Sequence, residues 1–280
     1  MRFRMFVLLM LGFAHTHPAV AQFAPDTADQ YGPAPATPLQ WKWKRLPDNA
    51  YLHWVEKPGR PMILAVPAAP GTGGSGFSGH FARFLYDQGY ALGVIEWRGD
   101  RARKQPPTVS AMQVGEQFAQ LRAIGGRGAF DPNRVVLFGS GEGALLAALL
   151  SADRQRLAAN GAAPPTVCGT LLLGPMNLDP ARPDTYIARS LFARDTEAGS
   201  TLSPLARAAS MQQTLVITDA SDRQQQVRAN PFILAVRGAG RTIEHETLPR
   251  FSSSDERTYL GLSGDRATPA VERFLARYCR

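Results

Sequence analysis

The residues whose types and spacing point most directly to chemistry are Gly139-Ser140-Gly141-Glu142-Gly143. Val135 to Phe138, just before them, are consecutive apolar residues that include two valines, the composition of a strand buried on both faces. Ala144 to Leu150, just after them, contains no breaker and consists of strong helix formers. The stretch therefore predicts a strand, a sharp glycine turn and a helix. Two chemistries use such a turn. In Gly-x-Ser-x-Gly a nucleophilic serine stands at the apex, flanked at two residues' distance by glycines because a Cβ does not fit there. In Gly-x-Gly-x-x-Gly/Ala the turn cradles the pyrophosphate of a dinucleotide.

In the first frame Gly139 and Gly143 are the outer glycines and the apex is Gly141, so the frame is kept and the reactive oxygen is missing. A nucleophile in this turn normally sits in a strained backbone conformation, which glycine adopts cheaply. Sliding the frame by one residue makes Ser140 a fallback nucleophile but puts Phe138 and Glu142 at the crowded positions. The dinucleotide frame takes Gly139, Gly141 and Ala144 and also needs an acidic residue at the end of the next strand. That strand, Thr170 to Gly174, runs into Pro175-Met176 instead, and no cofactor is expected.

A second glycine-rich loop spans Pro67 to Gly79. A phosphate-cradling loop would end in Gly-Lys-Ser/Thr, but Gly76 is followed by Phe77. The backbone N–H groups of Gly71, Gly73 and Gly74, with that of Glu142, are candidate donors to an oxyanion. The alternative is a flexible connection.

These loops need strands and helices to hold them. Tyr51 to Glu56, Met62 to Val66, Ala91 to Glu96, Leu171 to Leu173, Leu215 to Thr218 and Thr242 to Leu248 read as strands. Helices are expected from His80 to Gln88, through Ala111, Val114, Phe118 and Leu121, from Asn230-Pro231 to Arg237, and from Thr268-Pro269 onward. Asn177 to Pro204 reads as an irregular cap segment. Strands alternating with helices imply an α/β fold, a doubly wound, mostly parallel sheet flanked by helices.

The N-terminus carries Arg2 and Arg4, an apolar run from Met5 to Ala14 and Ala19-Val20-Ala21. This pattern reads as a secretory signal peptide over residues 1–21, too short in its apolar run to span a membrane. A proline-rich arm over 22–40 and one large domain over 41–280 follow. The expectation is an exported protein, periplasmic or secreted, with no membrane anchor after cleavage. The formal charge of +8 falls to +6 without Arg2 and Arg4. Many of the remaining arginines are scattered singly, which reads as a solvated basic surface, so nucleic-acid binding is not expected. Cys168 stands where a strand begins and Cys279 where the last helix ends, both at the sheet edge opposite the glycine turn. They are a disulfide candidate in an oxidising compartment, and their spacing offers no zinc site.

From about Tyr51 to Arg280 the chain resembles the α/β-hydrolase superfamily, in particular its esterase and lipase members. The resemblance rests on Asp131-Pro-Asn-Arg-Val-Val-Leu-Phe-Gly-Ser-Gly-Glu-Gly143, on Ser203-Pro-Leu-Ala206 with Leu215 to Asp222, and on Thr242 to Pro249. It implies Asp222 at the position of the triad acid and Gly141 at that of the serine. The histidine that the family places after the last strand has no counterpart in Arg250 to Asp255. Three histidines follow the signal: His53, His80 and His245. His80 opens the helix after the glycine loop and is the alternative base; His245 stands mid-strand, before the expected loop. A serine hydrolase needs nucleophile and base within hydrogen-bond reach. The resemblance therefore implies a degenerate hydrolase that binds a small-molecule ligand or a protein partner. The alternative is an active esterase with a displaced nucleophile, Ser140 or a serine among Ser252 to Ser254.

Overall fold

The computed structural model describes residues 39–46, 51–66, 79–95, 107–158, 165–176, 178–179, 203–249, 260–262 and 264–279. The signal segment, the arm up to residue 38, Gly71, Gly73, Gly74, Ser252 to Ser254 and most of the expected cap segment lie outside the described residues.

The strands are β1 (Lys42–Arg45), β2 (Tyr51–Val55), β3 (Pro61–Val66), β4 (Ala91–Ile95), β5 (Asp131–Ser140), β6 (Thr166–Leu173), β7 (Thr214–Asp219) and β8 (Ile243–Leu248). They form one sheet in the order β1-β2-β4-β3-β5-β6-β7-β8. The β1–β2 and β2–β4 pairs are antiparallel and the remaining pairs parallel. The helices are α1 (Gly79–Asp87), α2 (Pro107–Ile124), α3 (Gly143–Ala152), α4 (Arg223–Gly238) and α5 (Thr268–Tyr278). The expected α/β fold, with its doubly wound, mostly parallel sheet, is the one observed.

Strand side chains alternate between faces, and the core divides accordingly. Leu64, Leu137, Leu172 and Val216 pack with Phe118 of α2, Leu149 of α3 and Phe232 of α4. Ala65, Val136, Phe138 and Ile217 pack on the other face with Phe81 and Leu85 of α1 and Phe274 of α5. β5 and β6 begin before their apolar stretches, because backbone pairing with the neighbouring strands starts at Asp131 and at Arg134–Thr166, ahead of the first buried side chains.

The expected start of α4 at Asn230-Pro231 is corrected. The helix begins at Arg223, and Pro231 lies inside it. The Asp222 carboxylate accepts a hydrogen bond from the Gln225 N–H at 2.9 Å and caps the first turn. Ala229, Phe232, Ile233 and Val236 are buried along the same helix. Cap and burial together offset the backbone hydrogen bond that Pro231 forfeits, a cost of about 3 kcal/mol.

Two glycines set the closest approaches. A Cβ on Gly139 would lie 2.5 Å from the Gly143 carbonyl oxygen and 2.7 Å from Ala144 Cα. α3 therefore leaves β5 with its backbone against the strand. A Cβ on Gly169 would meet the Phe274 ring at 2.7 Å and Cys279 Sγ at 3.0 Å. The open space there lets α5 lie on β6, where Cys168 and Cys279 are joined in a disulfide with their Cα atoms 5.2 Å apart.

Two outcomes follow for stability. Gly139→Ala should cost about 3 kcal/mol, the upper end for overpacking against immovable backbone. Gly126→Ala, where an added Cβ would meet nothing within 4 Å, should stay within about 0.5 kcal/mol of the parent. Urea denaturation of both variants is the check. Replacing both Cys168 and Cys279 with alanine should lower stability by about 2–4 kcal/mol, measured by the same titration under non-reducing conditions.

Candidate functional site

The parallel strands end together, which brings their last residues to one edge. Val66 is in register with Gly139, Ser140 with Leu173, and Asp219 with Leu248. β5 turns into α3 here. Gly141 has φ +55°, a left-handed conformation that glycine adopts without the Cβ penalty. Its N–H donates to the Leu173 carbonyl at 3.0 Å, and its carbonyl accepts from the N–H groups of Ala144 and Met176 at 3.3 Å each. The apex is thus tied to the end of β6 and to the segment beyond it. Glu142 precedes the first helical residue of α3 with φ −69° and ψ −28°, and its side chain is buried.

Ser140 is the last residue of β5 and only 2% exposed. Phe138, two residues earlier, belongs to the core under α1 and α5. The two-residue repeat of a strand therefore turns Ser140 toward the same face. His80 stands in the first turn of α1, on that face and at that edge, beside Phe81, whose ring centroid lies 5.2 Å from that of Phe138. The chain returning after β8 also arrives here. Gly261 has φ +89°, and a Cβ on it would sit 2.5 Å from the His80 carbonyl oxygen. Burial lowers the His80 pKa below the usual histidine value, so the ring is neutral at pH 7 and can accept a proton. No hydrogen bond joins Ser140 to His80 among the described residues.

His245 lies elsewhere. It is in register with Val216, whose side chain packs under α2, α3 and α4. Registered neighbours in a parallel sheet point to one face, so His245 faces away from Ser140. Its Nε2 lies 2.9 Å from Thr218 Oγ1 and 3.4 Å from Thr247 Oγ1. Burial, with Arg237 nearby, lowers its pKa. His53 is on β2, with β4 and β3 between it and β5.

Two carboxylates stand at the C-terminal end of β7 and just beyond it. Asp222 is exposed and occupied as the cap of α4. Asp219, at the strand's last position, is 5% exposed. Its Oδ1 accepts from the N–H and the hydroxyl of Ser221 at 2.7 Å each, an Asx-type turn. The resemblance points to Asp222, yet Asp219 is the buried carboxylate at this end of the strand. The signal in the sequence is its position one residue beyond the apolar Leu215-Val-Ile run. Gly71, Gly73 and Gly74 lie outside the described residues, so of the candidate oxyanion donors only Glu142 is placed, at the turn. Among the described residues no group of His, Cys, Asp and Glu could hold a metal ion, and no helix is long and apolar enough to cross a membrane.

No family model matches the chain, and no curated protein matches it in sequence. Solved structures do resemble it. Carboxyl esterase 2 from the mycorrhizal fungus Tuber melanosporum is 18% identical, with a TM-score of 0.64 over 88% of this chain and 89% of that one. Esterase B from Lactobacillus Rhamnosis is 15% identical, with a TM-score of 0.62 over 85% and 84% of the two chains. A thermostable esterase from Pseudomonas putida is also 15% identical, with a TM-score of 0.61 over 88% and 83%. Such identities speak for the fold alone: the chain shares the α/β-hydrolase fold of these esterases.

Proposed function

We propose that the protein is an exported, catalytically degenerate α/β-hydrolase-fold protein that uses the C-terminal edge of its sheet to bind a small ligand or a protein. The observation that carries this reading is the backbone of Gly141. With φ +55°, in a turn whose outer glycine lies against α3, it occupies the apex that a serine takes in an active hydrolase. Asp222, at the position of the triad acid, is committed to capping α4. The Arg250 to Asp255 stretch has no histidine to orient. The Cys168–Cys279 bridge suits the oxidising compartment to which the N-terminal signal points.

A second reading, an esterase using Ser140 and His80, is favoured by their placement on one face at one edge. Its cost is the burial of Ser140, which leaves little room for an attacking oxygen to meet a carbonyl.

Labelling of the purified mature protein with a fluorophosphonate probe separates the two. No labelling is expected in protein shown to be folded by circular dichroism, and none in Ser140→Ala. Labelling that disappears in Ser140→Ala would overturn the degenerate reading and establish Ser140 as nucleophile. Gly141→Ser reports on the apex itself. A residue with a Cβ in the left-handed region should lose about 1–2 kcal/mol, measured by thermal or urea denaturation.

A further inference from the structure

The edge of the sheet opposite the glycine turn carries a different chemistry. A recess of about 490 Å³ opens between the β1–β2 hairpin and the turn at Gly125–Ala129 that leads from α2 into β5. Its volume falls in the range of small-molecule sites. Trp54 and Ile124, both nearly buried, give it an apolar floor. Lys42, Lys44, Glu56 and Arg127 stand around that floor.

The charges do not cancel. Lys42 Nζ lies 2.6 Å from Glu56 Oε2, and its hydrogen bond holds the Glu56 carboxyl below the usual carboxylate range. This pair is internally neutral. Lys44 donates to the uncharged Gln120 Oε1 at 3.0 Å, so its charge is not neutralised. Arg127 is exposed and makes no ion pair or hydrogen bond among the described residues. Two positive charges therefore flank an apolar floor.

We propose that this recess is a binding site for a small planar anion of the aryl carboxylate class. The ring system lies over Trp54 and Ile124, out of water, and the carboxylate meets the Arg127 guanidinium, whose parallel N–H groups match its two oxygens. A concave floor favours such a ligand over an anionic membrane, because a flat bilayer surface does not enter a recess. The site is remote from Gly141 and does not depend on whether the hydrolase edge is active.

Isothermal titration calorimetry with 2-naphthoate, its neutral amide 2-naphthamide, and vesicles containing phosphatidylglycerol tests the assignment. The mature protein should bind 2-naphthoate saturably with one-to-one stoichiometry. Arg127→Glu should weaken binding about tenfold or more, with its melting temperature unchanged because the side chain is exposed and uninvolved in packing. Added salt should weaken binding as well, and 2-naphthamide should bind poorly. Absence of saturable binding up to about 1 mM 2-naphthoate, the weak end of specific affinity, would overturn the proposal. So would equal affinity in Arg127→Glu, or binding to the vesicles without binding to 2-naphthoate.

Discussion

The contact between Gly139 and the backbone of α3 is the constraint on which the rest of the C-terminal edge depends. A Cβ at that position would stand 2.5 Å from the Gly143 carbonyl oxygen, so the strand and the helix meet backbone to backbone. The chain must then reverse within Ser140, Gly141 and Glu142, and it does so through the positive φ of Gly141. All ten residues of α3 are buried as a result, which makes it the helix around which one half of the core is built. The Gly141 N–H, donating to Leu173, locks the same turn to the neighbouring strand.

The division of the core into two faces then decides which polar groups can cooperate. Ser140 follows Phe138 onto the side of α1, where His80 stands; His245 follows Val216 onto the side of α4. Six strands in parallel register put candidate residues at one edge, yet the sheet itself separates those that face opposite ways. Burial lowers the pKa of both His80 and His245, and the neutral ring of His245 is taken up by Thr218 and Thr247. The C-terminal edge presents a glycine at the turn, a carboxylate engaged with Ser221, and His80 with no hydrogen bond to Ser140 among the described residues.

The two ends of the sheet differ in what they offer a ligand. At the C-terminal edge the described groups are backbone amides, a buried serine, a buried carboxylate and the His80 ring. At the N-terminal edge an apolar floor is ringed by lysine and arginine, with two charges unneutralised. The difference arises from the hairpin of β1 and β2, which brings Lys42, Lys44 and Trp54 beside Arg127, a residue far from them in the chain.

The sequence by itself determined the architecture and the place of the glycine turn. Apolar runs at Val135 to Phe138 and Leu171 to Leu173, glycines at 139, 141 and 143, and the terminal placement of Cys168 and Cys279 are local properties. Local steric rules convert the first two into a buried strand and a tight turn, whereas the Cys168–Cys279 bridge closes only because α5 packs on β6. Helix α4 marks the limit of that logic. Pro231 read as a start, but the true start at Arg223 depends on the Asp222 cap and on burial of Phe232 and Ile233, which arise only when the helix packs on the sheet. Tertiary structure alone decided that Asp219 rather than Asp222 is the buried carboxylate, that His245 faces away from Ser140, and that Arg127 meets the β1–β2 hairpin. Burial and facing depend on which strands become neighbours and in what register, and that information is spread over residues far apart in the chain.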